Sequence, residues 1–312
     1  MTAGLAQLVE DYLGIRRSLG YKLEDNERLL ARFLEYLTAA GSDAVTVENA
    51  LGFATAKTGA SRRRQALRLS AVRGFARWAH TVDPTIQVPP ARLLPARPTR
   101  AAPYIYTAAE ITALLTAAGR LRPAIRAATF TALVALMAAT GIRTGEAMSL
   151  NIADFDQRSA TLTVTGKYGK VRMLPVHPTV ADGLAGYLRQ RERLLPAGDC
   201  PALLVSSTGL RLYPTVVYPT FHALLEQAGL AAVSPTCRPR LYDLRHTFAV
   251  STMLDAYRGG ADPAVILALL STWLGHAEPG DTYWYLSGTA ELLAAATARL
   301  ESHRGHDGTG PS

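Results

Sequence analysis

Between Val88 and Pro103 the sequence reads VPPARLLPARPTRAAP, with five prolines in sixteen residues. Proline has no amide proton to donate and fixes φ, so such a run cannot continue a helix and reads as an extended segment. Apolar-patterned sequence lies on both sides of it, and 312 residues with 48% hydrophobic content suffice for two cores. The expected plan is a first domain over 1–87, a linker over 88–103, a second domain over 104–302 and a polar tail, HRGHDGTGPS, over 303–312.

Ahead of the linker the pattern is helical. Leu5, Leu8, Val9, Tyr12 and Leu13 recur at i, i+3, i+4, i+7 and i+8, and Leu29, Leu30, Phe33, Leu34 and Leu37 make a second stripe. A further helix, over about 66–80, is expected to turn Leu67, Ala71, Phe75 and Trp78 inward and Arg73 and Arg77 outward, and four or so helices would fill residues 1–82.

Behind the linker, Thr107 and Glu110 have the spacing of a capping box and predict a helix start. More helices are expected over 124–140, 144–151, 179–194, 215–229, 243–257, 263–273 and 290–302. The exception is ATLTVTGKYGKVRMLPV, where alternation from Thr161 to Thr165, a turn at GKYGK and a second run from Val171 to Val176 predict a β-hairpin. The fold class is mainly α, two-domain, with a small antiparallel β-sheet in the second domain.

Lys and Arg outnumber Asp and Glu by 33 to 25. The excess lies in the first hundred residues, with 15 basic against 9 acidic, and the segment from Lys57 to Arg100 holds 10 basic residues and one acid, Asp83. A polyanion is the partner such a face would attract. Cys200 and Cys237 have neither disulfide-framework nor zinc-site spacing, the N-terminus has no uninterrupted apolar stretch of signal-peptide type, and no run of about 18 apolar residues occurs. These features predict a soluble protein of a reducing, cytoplasmic compartment.

Four stretches hold the polar residues that could carry chemistry: TGIRTGEAMSL (140–150), TGKYGKVR (165–172), LYDLRHTFAV (241–250) and LGHAEPGDTYWY (274–285). Singly each has a dull reading. Arg143 and Glu146 are spaced as a surface ion pair, Lys167 and Lys170 flank a turn where lysines are often just solvated, and the aromatics of DTYWYLSG read as packing. Together, two arginines, a lysine, a histidine and a tyrosine are the parts needed to cleave a phosphodiester without a metal. Guanidinium groups meet the charge on the non-bridging oxygens, an ammonium protonates the leaving oxygen, and a phenol attacks. No ExK or HExxH pattern of a metal nuclease is present, and the DxD at Asp154–Asp156 is not part of a cluster of such motifs.

These four motifs, in this order, resemble the tyrosine recombinases of the phage integrase class, over essentially all of residues 1–302. TGIRTGE resembles the block TGLRxxE, which implies that Arg143 is the first catalytic arginine and Glu146 its supporting acid. GKYGKVR resembles GKGxKxR and assigns Lys167 as the catalytic lysine, with Lys170 and Arg172 beside it as DNA contacts. YDLRHTFA resembles HDLRHTFA and assigns Arg245 as the second arginine. LGH assigns His276, and Tyr285, nine residues on, matches the nucleophile, while Tyr283 falls two positions short. The departure is Tyr242, where the family usually carries histidine. A phenol can donate to a phosphate oxygen but is a poor base at neutral pH, so the base would fall to His246 or His276.

The resemblance implies site-specific DNA strand exchange through a 3′-phosphotyrosyl intermediate, with no cofactor and no metal. Its partners would be double-stranded DNA carrying a recombination site, three further copies of the chain in a tetramer on two duplexes, and in some members companion recombinases. The first domain would clamp DNA through Arg62, Arg63, Arg64, Arg73 and Arg77. The ending WYLSGTAELLAAATARLE is similar to recombinases carried by bacterial mobile elements, and localisation would be cytoplasmic, at the nucleoid. Two rivals stand beside this expectation: an accessory DNA-binding protein that has lost catalysis, motivated by Tyr242, and a type IB topoisomerase.

Overall fold

The computed structural model describes residues 2–21, 23–94, 102–166, 169–196, 198–276 and, singly, 280, 282, 294 and 297. The chain divides into two compact units, Met1–Arg100 and Ala101–Ser312.

The first unit holds α1 (Thr2–Ser18), α2 (Glu24–Ala39), α3 (Val47–Thr55) and α4 (Arg62–Ala79). Glu24, Asp25 and Glu27 occupy the first turn of α2, where acids suit the helix dipole, and Thr46 and Ser61 cap α3 and α4 by accepting the amides of Asn49 and Arg64. Val9, Tyr12, Leu30, Phe33, Phe53, Val72 and Phe75 form the core. The stripes expected on α1 and α2 are the buried ones. On α4 the expectation fails at Leu67, which is 56% exposed. Capped at Ser61, the helix centres its buried stripe on Val72 and Ala79, roughly a quarter-turn from a stripe drawn through Leu67 and Trp78. Arg73 is accordingly half-buried rather than outward, and its Nη1 donates to the Pro90 carbonyl at 3.3 Å. The proline-rich stretch packs Leu93 and Leu94 on this core, while residues 95–101 lie outside the described residues.

The second unit is built around α6 (Ala124–Thr140), apolar on nearly every side and therefore central, with α5 (Ala108–Gly119), α8 (Pro178–Leu194) and α10 (Asp243–Arg258) against it. Thr107 and Glu110 form the expected capping box of α5. α7 (Thr144–Ser149), α9 (Pro214–Gln227) and α11 (Pro263–Leu274) complete its α-helices among the described residues.

The sheet is antiparallel in the order β1 (Phe155–Asp156), β2 (Thr161–Thr165), β3 (Val171–Pro175). Leu162 opposes Leu174 and both are buried, whereas Thr163 opposes the exposed Met173, the two-residue period setting one face inward. β1 was not expected, because two residues are too short to show alternation. The helix expected over 290–302 lies outside the described residues, apart from Ala294 and Thr297.

Candidate active site

The site forms where α6 and α11 end. Both stop at a glycine in the left-handed region, Gly141 (φ 62°) and Gly275 (φ 65°), so each chain turns sharply and delivers a polar residue at once: Arg143 after the first, His276 after the second. Both turns are crowded, the first more than the second. A Cβ at Gly141 would sit 2.5 Å from Cδ1 of Phe248, and one at Gly275 would sit 3.0 Å from Nη1 of Arg172.

Arg245, on the first turn of α10, is the largest fully buried side chain among the described residues. Its Nη1 donates to the Gly141 carbonyl at 2.8 Å and its Nη2 to the Leu274 carbonyl at 2.7 Å, so one guanidinium binds the negative C-terminal ends of both helices. That arrangement is what makes its burial tolerable. Nη2 also lies 2.9 Å from Nε2 of His276, whose Nδ1 is 2.7 Å from Oγ1 of Thr282. Arg143 reaches the same turn from the other side, its Nη2 donating to the Gly275 carbonyl at 3.0 Å. Trp273 Nε1 donates to the Thr140 carbonyl at 2.8 Å, a third tie between the two helix ends.

Glu146 organises the other half of the site. At the third position of α7 its carboxylate accepts the Arg143 amide at 3.1 Å and Arg143 Nη1 at 2.7 Å. Arg172, from β3, meets the same carboxylate with both Nη atoms, at 3.1 and 2.8 Å, and gives its Nε to the Trp273 carbonyl at 2.9 Å. Burial pushes the Glu146 carboxyl up, but the Arg172 and Arg143 contacts outweigh it and hold the group below the usual carboxylate range. With the Glu146 side chain 7% exposed, this is no solvated surface pair.

At the start of α10, Tyr242 is exposed at 38%, with its ring edge-on to His246 at 5.2 Å between centroids. Asp243 is fully buried and takes a forked pair of bonds from Arg240 Nε and Nη2, at 2.9 and 2.7 Å. Burial raises the Asp243 carboxyl in spite of that pairing. Burial, with the charges of Arg240 and Arg245, pushes the His246 imidazole down to about 3. A ring so enclosed and so lowered in basicity is a weak base at neutral pH.

Arg143, Glu146, Arg245 and His276 thus meet at one place. Lys167, Tyr283 and Tyr285 lie outside the described residues. Lys170 is exposed beside the hairpin turn, closing it by accepting the Gly166 amide at 2.7 Å, while Arg172 turns inward instead of toward solvent. Arg62, Arg63, Arg64 and Arg77 are exposed on α4. Sequence reasoning missed Arg240, Asp243, Trp273 and Thr282: Trp273 meets a partner 133 residues away, Arg240 and Asp243 act at the buried start of α10, and Thr282 acts through the turn that carries His276. Among the described residues no group of His, Cys, Asp and Glu is placed to hold a metal, and no helix is long and apolar enough to cross a membrane.

A mostly helical fold with a small three-stranded antiparallel sheet and two arginines converging on an LGH turn defines a class, and comparison with known proteins agrees. The model of the phage integrase family matches residues 105–291, and the chain belongs to that family, the tyrosine recombinases. A Sinorhizobium fredii protein named as integrase/recombinase y4rB is 40% identical over 302 residues, covering 95% of this chain and 96% of the relative. The tyrosine recombinase XerD of Caulobacter vibrioides is 32% identical over 279 residues, 88% of this chain and 86% of that one. Among solved structures, the XerH site-specific recombinase in its post-cleavage complex with a palindromic difH substrate shares the fold at a TM-score of 0.63 and 21% identity, over 95% of this chain and 84% of that one.

Proposed function

We propose that this chain is a site-specific DNA recombinase that cleaves and rejoins strands through a 3′-phosphotyrosyl intermediate. The observation that carries the reading is the convergence on adjacent carbonyls: Arg245 donates to Leu274, Arg143 to Gly275, and His276 follows directly. Residues over 130 positions apart in sequence are gathered at one turn, and guanidinium groups are the donors suited to the charge that develops on a phosphodiester under attack. In this reading Arg143, Arg245 and His276 hold the scissile phosphate, with Tyr242 as a hydrogen-bond donor to it. Tyr285 releases its phenolic proton to a basic histidine or to water and attacks, the bond to the 5′ oxygen breaks, and Lys167 supplies the proton to the departing 5′ hydroxyl. A 5′ hydroxyl from a partner duplex reverses the step and releases the tyrosine, so the covalent link conserves the bond energy and neither a nucleotide cofactor nor a metal takes part. The first unit clamps DNA through the exposed arginines of α4, and four copies act on two duplexes.

The test is covalent trapping on a nicked suicide duplex carrying the cognate site, with wild type and Tyr285→Phe, resolved by denaturing electrophoresis. The reading expects an adduct in wild type that survives EDTA and is absent from Tyr285→Phe. The observation favouring a second reading, an accessory protein without catalysis, is Tyr242 at the usual histidine position. Site binding without any adduct, restored by Tyr242→His, would establish that reading instead.

A further inference from the structure

We infer that Arg172 is a positioning residue for strand cleavage, joining the hairpin that carries Lys167 to the phosphate-binding centre by acting on Arg143 through Glu146. The inference rests on the recombinase reading above. Arg172 lies on β3, opposite Val164 and a few residues beyond the turn, so its place is set by the hairpin register. Its guanidinium makes three bonds to two separate parts of the site. Both Nη atoms fork onto the Glu146 carboxylate, which in turn holds Arg143, and Nε takes the Trp273 carbonyl, three residues ahead of His276. The fit is close on the remaining side, since a Cβ at Gly275 would come within 3.0 Å of Nη1 of this guanidinium. A planar fork of fixed geometry transmits orientation in a way that a lysine ammonium, a single point charge, cannot. With 14% of its side chain exposed and its donors turned inward, Arg172 acts on the chemistry through its neighbours rather than on DNA.

The experiment is a double-mutant cycle on single-turnover adduct formation with the suicide duplex, using wild type, Arg172→Lys, Arg143→Lys and the double variant, with affinity for the uncleaved site measured alongside. Arg172→Lys keeps the charge and most of the packing, and thermal melting establishes that it is folded. The expected result is a cleavage rate lower by about 10²-fold with site affinity unchanged. In the Arg143→Lys background the same change should cost less than about threefold, because the residue it works through is already altered. An equal loss in both backgrounds would mark Arg172 as a structural residue and overturn the assignment, as would wild-type cleavage by Arg172→Lys or a matching loss of site affinity. Absence of an adduct from wild type overturns the strand-cleavage reading itself and takes this assignment with it.

Discussion

Nη2 of Arg245 lies 2.9 Å from Nε2 of His276. A guanidinium has hydrogens to give and no lone pair to offer, so Nε2 is the acceptor in this contact. The proton of the neutral imidazole is then on Nδ1, where it faces Oγ1 of Thr282 at 2.7 Å. The tautomer of His276 is therefore set by an arginine on one side and a threonine on the other. Replacing Thr282 by Val removes the acceptor while keeping the shape. Strand cleavage should fall about tenfold, and the imidazole nitrogen spectrum, with Nδ1 protonated in wild type, should show a mixture of tautomers. Unchanged spectra and rates would show that Thr282 does not orient the ring.

Glu146 sits between two guanidinium groups in a buried place. Glu146→Gln keeps the volume but leaves Arg143 and Arg172 facing each other without a counter-charge, the costly way to break a buried pair. Denaturant unfolding should show a loss of about 3 kcal/mol. The variant should also fail to form adduct under conditions where it is folded, since the amide keeps one acceptor oxygen where the carboxylate had two, and Arg143 loses one of its two bonds to it.

Two glycines separate backbone strain from crowding. Gly20 and Gly141 both have positive φ, 86° and 62°, but a Cβ at Gly20 meets nothing within 4 Å whereas one at Gly141 overlaps the Phe248 ring. Gly20→Ala should cost about 1 kcal/mol from the left-handed conformation alone, and Gly141→Ala about 2 kcal/mol more. Only the second should impair cleavage, because the Gly141 carbonyl is a partner of Arg245. Equal melting shifts for the two would refute the crowding argument.

The His246 imidazole, pushed down to about 3, gives the fold an acid-sensitive element. In the unfolded chain the ring titrates near 6.5. Between pH 6.5 and 3 the unfolded state therefore binds a proton that the folded state refuses, so the His246 contribution is complete above 6.5 and is lost as pH falls toward 3, at a limiting slope of about 1.4 kcal/mol per pH unit. Stability of wild type should drop across pH 6.5 to 4.5, and His246→Gln should flatten that part of the profile. Parallel profiles would mean that the ring does not titrate differently on folding.

Arg62, Arg63 and Arg64 stand in the first turn of α4, where the helix dipole is already positive, so each is unfavourable there until an anion arrives. If they meet DNA phosphates, replacing all three by alanine should reduce the slope of log K against log salt by between about one and three, and weaken cognate and unrelated DNA alike. A slope equal to that of wild type would remove α4 from the interface.

Much of this protein was settled by its sequence. The proline-rich stretch separates two patterned halves, the capping box and periodicity set α5 and most of the helices after it, and TGIRTGE, LRHTFA and LGH carry the residues that meet at the site, because local propensity and the order of motifs are properties of the chain alone. Leu67 marks the limit of that logic. Several apolar residues on α4 fit more than one stripe, and only packing against α1, α2 and α3 selected the face through Val72 and Ala79. The same holds for Arg172 and His246. As letters they read as a DNA contact and a candidate base; the fold gives the first a fork on Glu146 and the second a buried ring of lowered basicity. Their partners lie 26 residues away in Glu146 and in the low dielectric of the core, and burial and long-range proximity are set by the tertiary fold rather than by any local pattern.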